Sequence, residues 1–302
     1  MSALAALLLF FVPGTRVLDI SPSASTGPVA NVPGDIAIGH GLILGINNAP
    51  APQGALHSFG LDGKTRQIVD GLESPAGVDI KGDLAVVTER NQLRVFRIDA
   101  ASGQLADAGA IPVSEGATGL GLYRRPRDGA LFAIVSHKFR QAAGTFLAEY
   151  RLTDDGAHVT GKKVRDFGKF PGGAVAIDDT EGHVYYSEAT CCVHKYYADP
   201  DRSDAALEVA RHATDKYDGR REGIAITPGW LIVADRIAGQ SQYHVYAKRG
   251  AALRPLFSLR GPADSATGIE FSATQPGFPD GLLVTANAAG KNFLLFGLKS
   301  RY

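Results

Sequence analysis

Cysteine, methionine and tryptophan are scarce in this chain: 302 residues include two Cys, one Met and one Trp. Two cysteines cannot build the disulfide framework of a small secreted scaffold. Because Cys191 and Cys192 are adjacent, they can pair only with each other or stay as thiols. Two small buried thiols at a strand start are expected. Zinc is not expected there, since His194 is the only other ligand type nearby. Net charge is also absent: 31 basic and 31 acidic residues cancel, which removes the electrostatic footprint of a nucleic-acid-binding protein. The eight His are scattered without an HxH or HExxH pair, and neither a GxSxG elbow nor a phosphate-binding loop occurs. Helical periodicity is rare. Ser203 to His212, one candidate, alternates Ala205, Leu207 and Val209 and so favours a strand or loop.

Long apolar runs are missing except at the start. Met1 to Val12 is almost wholly apolar, too short to span a bilayer comfortably, and resembles the apolar core of a signal peptide, although no Lys or Arg precedes it. Export to a secreted or periplasmic location is expected, with no stable membrane insertion. Arg16 to Val32, rich in Ser, Pro and Ala, reads as an arm leading into the first structural unit. The division is therefore 1–27, signal-like segment and arm, and 28–302, one all-β domain.

What the chain has in quantity is turn chemistry, with 36 Gly and 16 Pro, between short β-patterned runs. Gly77 to Ile98 holds the plan: Val78 and Ile80, a turn at Lys81-Gly82-Asp83, the β-branched run Leu84 to Thr88, and a third run in which Leu93, Val95, Phe96 and Ile98 alternate with Arg94 and Arg97. Such a meander, with a half-exposed outer member, cannot bury its faces alone. The outer run recurs with an aromatic at Phe59, Phe96, Tyr150, Tyr196, Tyr246 and Phe296, at intervals of 37, 54, 46, 50 and 50 residues. Intervals of about 40 to 50 residues are those of propeller blades. The expected fold is all-β, a six-bladed β-propeller; the alternative is an irregularly spaced β-sandwich.

In a propeller the inner strands converge on a central channel, so their ends face one another across a mouth. Where the second strands end, the copies carry Asn47-Asn48, Glu89-Arg90, His137-Lys138, Glu188, Asp235-Arg236 and Asn287. Before the first strands stand Asp35, Ala76, Thr118, Gly173, Glu222 and Thr267. A mouth with this mixture suits a small anionic ligand bound by a monomer, with Arg90, Lys138, Arg236 and His137 as candidate substrate-binding residues. Asp178-Asp179-Thr180-Glu181 has the look of a calcium loop but lies between two inner strands and is expected to be an ordinary turn.

Several segments carry a family resemblance: Val87 to Ile98, Gly119 to Arg124, Tyr150 to Gly156, Val159 to Lys162, Ile177 to Asp179, Arg221 to Ile224 and Phe278 to Val284. Together they resemble the β-propeller phytases, calcium-dependent bacterial enzymes that hydrolyse inositol hexakisphosphate. The resemblance runs from about Pro28 to Phe296. It implies a Ca²⁺ site with Asp35, Glu188 and Glu222 as ligands, water attack on phosphorus with Glu222 and Glu188 as catalytic groups, and Arg90 and Lys138 on phosphate. The pattern departs where Gly173, Arg220, Thr267 and Asn287 stand at expected carboxylates and Thr118 at a Tyr. The paired lysines of the first blade are replaced by Asn47-Asn48. Fewer carboxylates mean fewer calcium ions than the family carries. Three functions remain open: a phytase-like phosphomonoesterase, a degenerate propeller binding an anionic ligand or a protein partner, and a lactonase-like propeller with one Ca²⁺ recruited by Asn47, Glu222, Asn287 and Asp235.

Overall fold

A computed structural model describes residues 16–248, 255–264 and 267–298. Two short strands, β1 (Arg16–Asp19) and β2 (Ala24–Ser25), precede the blades. The first blade is β3 (Pro33–Gly39), β4 (Leu42–Asn47), β5 (Gly54–Gly60) and β6 (Thr65–Leu72), and the second is β7 (Gly77–Lys81), β8 (Leu84–Thr88), β9 (Gln92–Asp99) and β10 (Gln104–Pro112). The third comprises β11 (Ala117–Arg124), β12 (Leu131–His137), β13 (Leu147–Asp154) and β14 (Val159–Phe167). The fourth comprises β15 (Val175–Asp178), β16 (His183–Ser187), β17 (Val193–Tyr197) and β18 (Ala210–His212). β19 (Arg220–Ile226), β20 (Trp230–Ile237), β21 (Gln240–Ala247) and β22 (Phe257–Gly261) form the fifth, and β23 (Ile269–Ser272), β24 (Leu282–Asn287) and β25 (Asn292–Gly297) the sixth. Within each blade the strands pair antiparallel in sequence order. Each innermost strand packs on the next, and β23 returns to β3, so the six sheets close a ring. This is the six-bladed propeller expected from the repeat.

Two expectations need correction. The third runs are not the outer members: β5 is buried throughout, and a fourth, half-exposed strand covers it. Those fourth strands are polar edges such as Thr65–Leu72, which lack the alternation that marks a strand in sequence. The arm also belongs to the domain that the boundary at 28 excludes. β1 pairs parallel with β22 on the outer edge of blade five, and β2 pairs with β25 as the missing outer strand of blade six. The chain start thus seals the ring at its end and hydrogen-bonds an edge that would otherwise be open. Residues 1–12, where the signal-like segment falls, lie outside the described residues.

The core is divided into six apolar clusters, one between each pair of adjacent blades. The repeated aromatics fill them. At the closure, the rings of Phe59 and Phe293 meet edge to face, 6.0 Å between centroids. Glycine recurs at the mouth end of the inner strands because neighbouring backbones crowd there. A Cβ on Gly119 would come within 2.2 Å of the Gly173 carbonyl oxygen, and one on Gly268 within 2.3 Å of that of Gly34. No helix among the described residues is long and apolar enough to cross a membrane.

Candidate functional site at the propeller mouth

At the mouth the inner strands depart from regular pairing. The register shifts between Pro33 and Ile36, between Ala117 and Gly119, and between Arg221 and Ile224. Asp35, Thr118 and Glu222 sit in these bulges, which re-aim a side chain that regular pleating would place elsewhere. The result is a cavity of about 680 Å³ bordered by Asp35, Lys138, Glu188, Arg220, Glu222 and Arg236, with Asn48, Thr118, Thr190 and Thr267 among its neutral members.

Glu222 lies between two guanidinium groups: its Oε1 is 3.5 Å from Arg236 Nη1 and 3.8 Å from Arg220 Nε. Glu188 accepts from His194 Nε2 at 2.9 Å, and His194 Nδ1 lies 2.7 Å from Glu208. Asp35 reaches deeper, where it also borders the channel beneath the mouth. Its carboxylate accepts the Val78 N–H at 3.1 Å, yet burial pushes its pKa up to about 7, with repulsion from Asp79 adding to the rise. Lys138 is exposed on the rim, with its ammonium 5.7 Å from the centre of the Phe139 ring and no carboxylate partner among the described residues.

Of the residues singled out from sequence, Asp35, Lys138, Glu188, Glu222 and Arg236 therefore share one cavity. Arg90 and His137 do not. Arg90 points its Nε at Glu115 Oε1, 3.1 Å away, on an open surface outside the cavity. His137 is fully buried, and burial holds its pKa below the ordinary value, which leaves a neutral core imidazole. Lys138, the residue just past the end of β12, is exposed instead. Glu89 is also buried and is spent on the Glu73 N–H and the Gln92 amide.

The lactonase-like set is not assembled. Asn47 is buried against Gln53 and His57, Asp235 accepts the backbone N–H groups of Asp218 and Gly219, and Asn287 accepts that of Asp264. These are loop-fixing contacts. At the Asp178–Glu181 turn, Lys248 Nζ lies 2.7 Å from Asp178 Oδ2 and Lys195 Nζ is 3.8 Å from Glu181. Asp178, Glu181 and His183 also bring ligand atoms within 4.8 Å of one another, a grouping that the expectation of an ordinary turn does not include. The cysteines are not thiols but a disulfide between Cys191 and Cys192. Zinc was set aside there for want of ligands other than His194, but the same turn brings Glu188 within 4.8 Å of both sulfurs. Arg220 is the cavity cation that sequence inspection passed over, because it appears there only as a lost carboxylate.

A calcium cage does not form from these residues. Asp35, Glu188 and Glu222 do not bring three carboxylate oxygens within 4.8 Å of one another. Glu222 is already matched by Arg220 and Arg236, and burial favours the protonated form of Asp35. Ca²⁺ needs several oxygen ligands at about 2.3–2.6 Å, tuned by ligand charge.

Fold and mouth define a six-bladed propeller with a small polar cavity over its axis, three cations and three carboxylates around it. The chain belongs to the phytase family, whose model matches residues 70–264. A 3-phytase of Bacillus subtilis (strain 168) is 30% identical over 187 residues, 56% of this chain and 47% of that protein. The match thus spans about half the length of that relative. Among solved structures, a functionally unknown protein from Desulfotomaculum acetoxidans DSM 771 is similar with a TM-score of 0.53 and 17% identity, over 74% of this chain and 71% of the other, a likeness of fold.

Proposed function

We propose that the chain is a phytase-like phosphoric monoester hydrolase whose mouth takes inositol hexakisphosphate or a related phosphate monoester. The observation that carries this reading is the convergence of Lys138, Arg220 and Arg236 on one cavity, with Lys138 unmatched by any described carboxylate. Guanidinium and ammonium donors make strong charge-assisted hydrogen bonds to phosphate oxygens. A phosphate entering beside Arg220 and Arg236 competes with Glu222 for their donors. Glu188 is a cavity carboxylate with no guanidinium within salt-bridge distance, set less deep than Asp35, whose burial favours its protonated form, and His194, anchored by Glu208, holds the orientation of Glu188. In this reading Glu188 takes the proton of a water attacking phosphorus. The family's Ca²⁺ finds no three-carboxylate cage among Asp35, Glu188 and Glu222.

The test is phosphate release from inositol hexakisphosphate by the purified chain, with added Ca²⁺ and with a chelator. Release is expected, and Glu188→Gln should remove it. Calcium-dependent release would return a metal to the mechanism. Tight binding without release would favour a second reading, an anion-binding propeller without turnover, for which the pairing of Glu222 with Arg220 and Arg236 speaks. Export is proposed with either reading: a vicinal disulfide suits an oxidising compartment, and fractionation of expressing cells with an anti-chain antibody checks it.

A further inference from the structure

The turn that carries Glu188 holds a second cluster beside the mouth. The Glu188 N–H donates to the Cys192 carbonyl at 2.8 Å, and the N–H groups of Cys191 and Cys192 return to the Glu188 carbonyl at 3.1 and 3.3 Å. This tight turn brings the Glu188 carboxylate and both sulfurs within 4.8 Å of one another. His194 closes the group, its Nε2 being 2.9 Å from Glu188 and 3.6 Å from Cys192 Sγ. The imidazole is held on every side. Phe170 and Tyr186 stack on its two faces at 4.9 and 4.8 Å, and Nδ1 meets Glu208, which two Arg211 nitrogens clamp at 2.7 and 2.9 Å. A carboxylate behind the far nitrogen of a histidine is the support that orients metal-ligating imidazoles.

We propose that, with the disulfide reduced, Cys191, Cys192, Glu188 and His194 bind a thiophilic divalent cation of the Zn²⁺ class. A dithiol reductant supplies two electrons and two protons to the Cys191–Cys192 bond and leaves as its own cyclic disulfide. The cation then displaces the two thiol protons to solvent. It also takes the place of the proton that His194 Nε2 shares with Glu188, while the imidazole keeps its other proton on Nδ1 toward Glu208. The cation forms two metal–sulfur bonds, one bond to His194 Nε2 and one to a Glu188 oxygen. Once the covalent bond is cut, the sulfurs can part to the roughly 3.8 Å that two ligands about 2.3 Å from a tetrahedral ion require. Thiolates select such an ion over Ca²⁺ or Mg²⁺. Cys191 is partly exposed, which admits the reductant, whereas Cys192 and His194 are buried. Because Glu188 also borders the cavity, occupancy withdraws that carboxylate from the mouth; only this consequence rests on the function proposed above.

The experiment is Co²⁺ titration of the full chain, reduced with dithiothreitol and freed of it under argon, against the unreduced chain, followed by absorption. The reduced chain should take up one equivalent with a thiolate-to-Co²⁺ charge-transfer band. The unreduced chain should bind at least tenfold more weakly and without that band. Cys191→Ser should lose half or more of the band intensity, and Glu188→Gln should weaken binding about tenfold at unchanged circular dichroism. A reduced chain with no charge-transfer band, or a band of equal intensity in Cys191→Ser, overturns the site. Phosphatase activity does not enter this readout, so the site and the hydrolase reading fail separately.

Discussion

Arg236 Nη1 stands 3.5 Å from Glu222 Oε1, so a cation from β20 neutralises the carboxylate that the β19 bulge turns into the mouth. Arg220, two residues before Glu222, approaches the same oxygen. The pair sets two guanidinium groups against a carboxylate that a Ca²⁺ ion at the mouth would need as a ligand.

Arg220→Asp removes one guanidinium and adds a carboxylate, a local change of two charges. Calcium affinity follows ligand charge, and calorimetric titration should show Ca²⁺ bound at least tenfold more tightly than by the parent, about 1.4 kcal/mol. Equal affinities would mean that Glu222 is not held back by its arginines.

Lys138→Ala and Arg90→Ala should separate cleanly. Loss of a charge-assisted donor to phosphate costs about 1.5–3 kcal/mol, so Lys138→Ala should weaken inositol hexakisphosphate binding tenfold or more. Arg90 lies outside the cavity and is bound to Glu115, and its removal should change affinity less than twofold. Isothermal titration of both variants decides, and a larger loss from Arg90→Ala would move the phosphate site off the axis.

The channel carboxylates set a pH dependence of stability. Burial raises Asp35 to about 7 and Asp79 to about 6. Since the folded-state values lie above the unfolded ones, their contribution is complete below about pH 4 and is lost as pH climbs through 6 and 7. Urea midpoints should therefore fall between about pH 5 and pH 8. Asp35→Asn and Asp79→Asn should each flatten that fall, and curves parallel to the parent would remove the channel from the explanation.

A chain starting at Pro28 should lose much of its stability. It lacks β2, so β25 presents an unpaired edge, and it lacks β1 on β22. Exposed strand edges recruit other chains. We expect a lower thermal midpoint and concentration-dependent light scattering; a monomer of parental midpoint would show that the arm is dispensable.

Phe293→Ala opens a cavity where the last blade meets the first, against Phe59 and Gly45. Such truncations cost about 3–5 kcal/mol, measurable as a shift of the urea midpoint at constant slope. A change below about 1 kcal/mol would mean that the closure repacks.

The amino-acid sequence by itself determined the architecture. Six aromatics at blade spacing, each preceded by β-branched runs and turn residues, cannot bury their faces except against copies of themselves, and the six inter-blade clusters are that solution. The inner-strand ends also named most of the mouth, because equivalent positions in a closed ring must face each other. Tertiary structure alone decided which of them meet. Asp35, Thr118 and Glu222 reach the cavity through bulges whose register no local pattern encodes, whereas His137, one place from Lys138, turns into the core. The closing strand came from Ala24–Ser25, two residues with too little pattern to read as a strand and more than 260 residues from their partners Leu294 and Leu295. Charge pairing was equally out of reach of local sequence, since the match of Arg236 to Glu222, and of His194 to both Glu188 and Glu208, depends on how neighbouring strands and turns are juxtaposed.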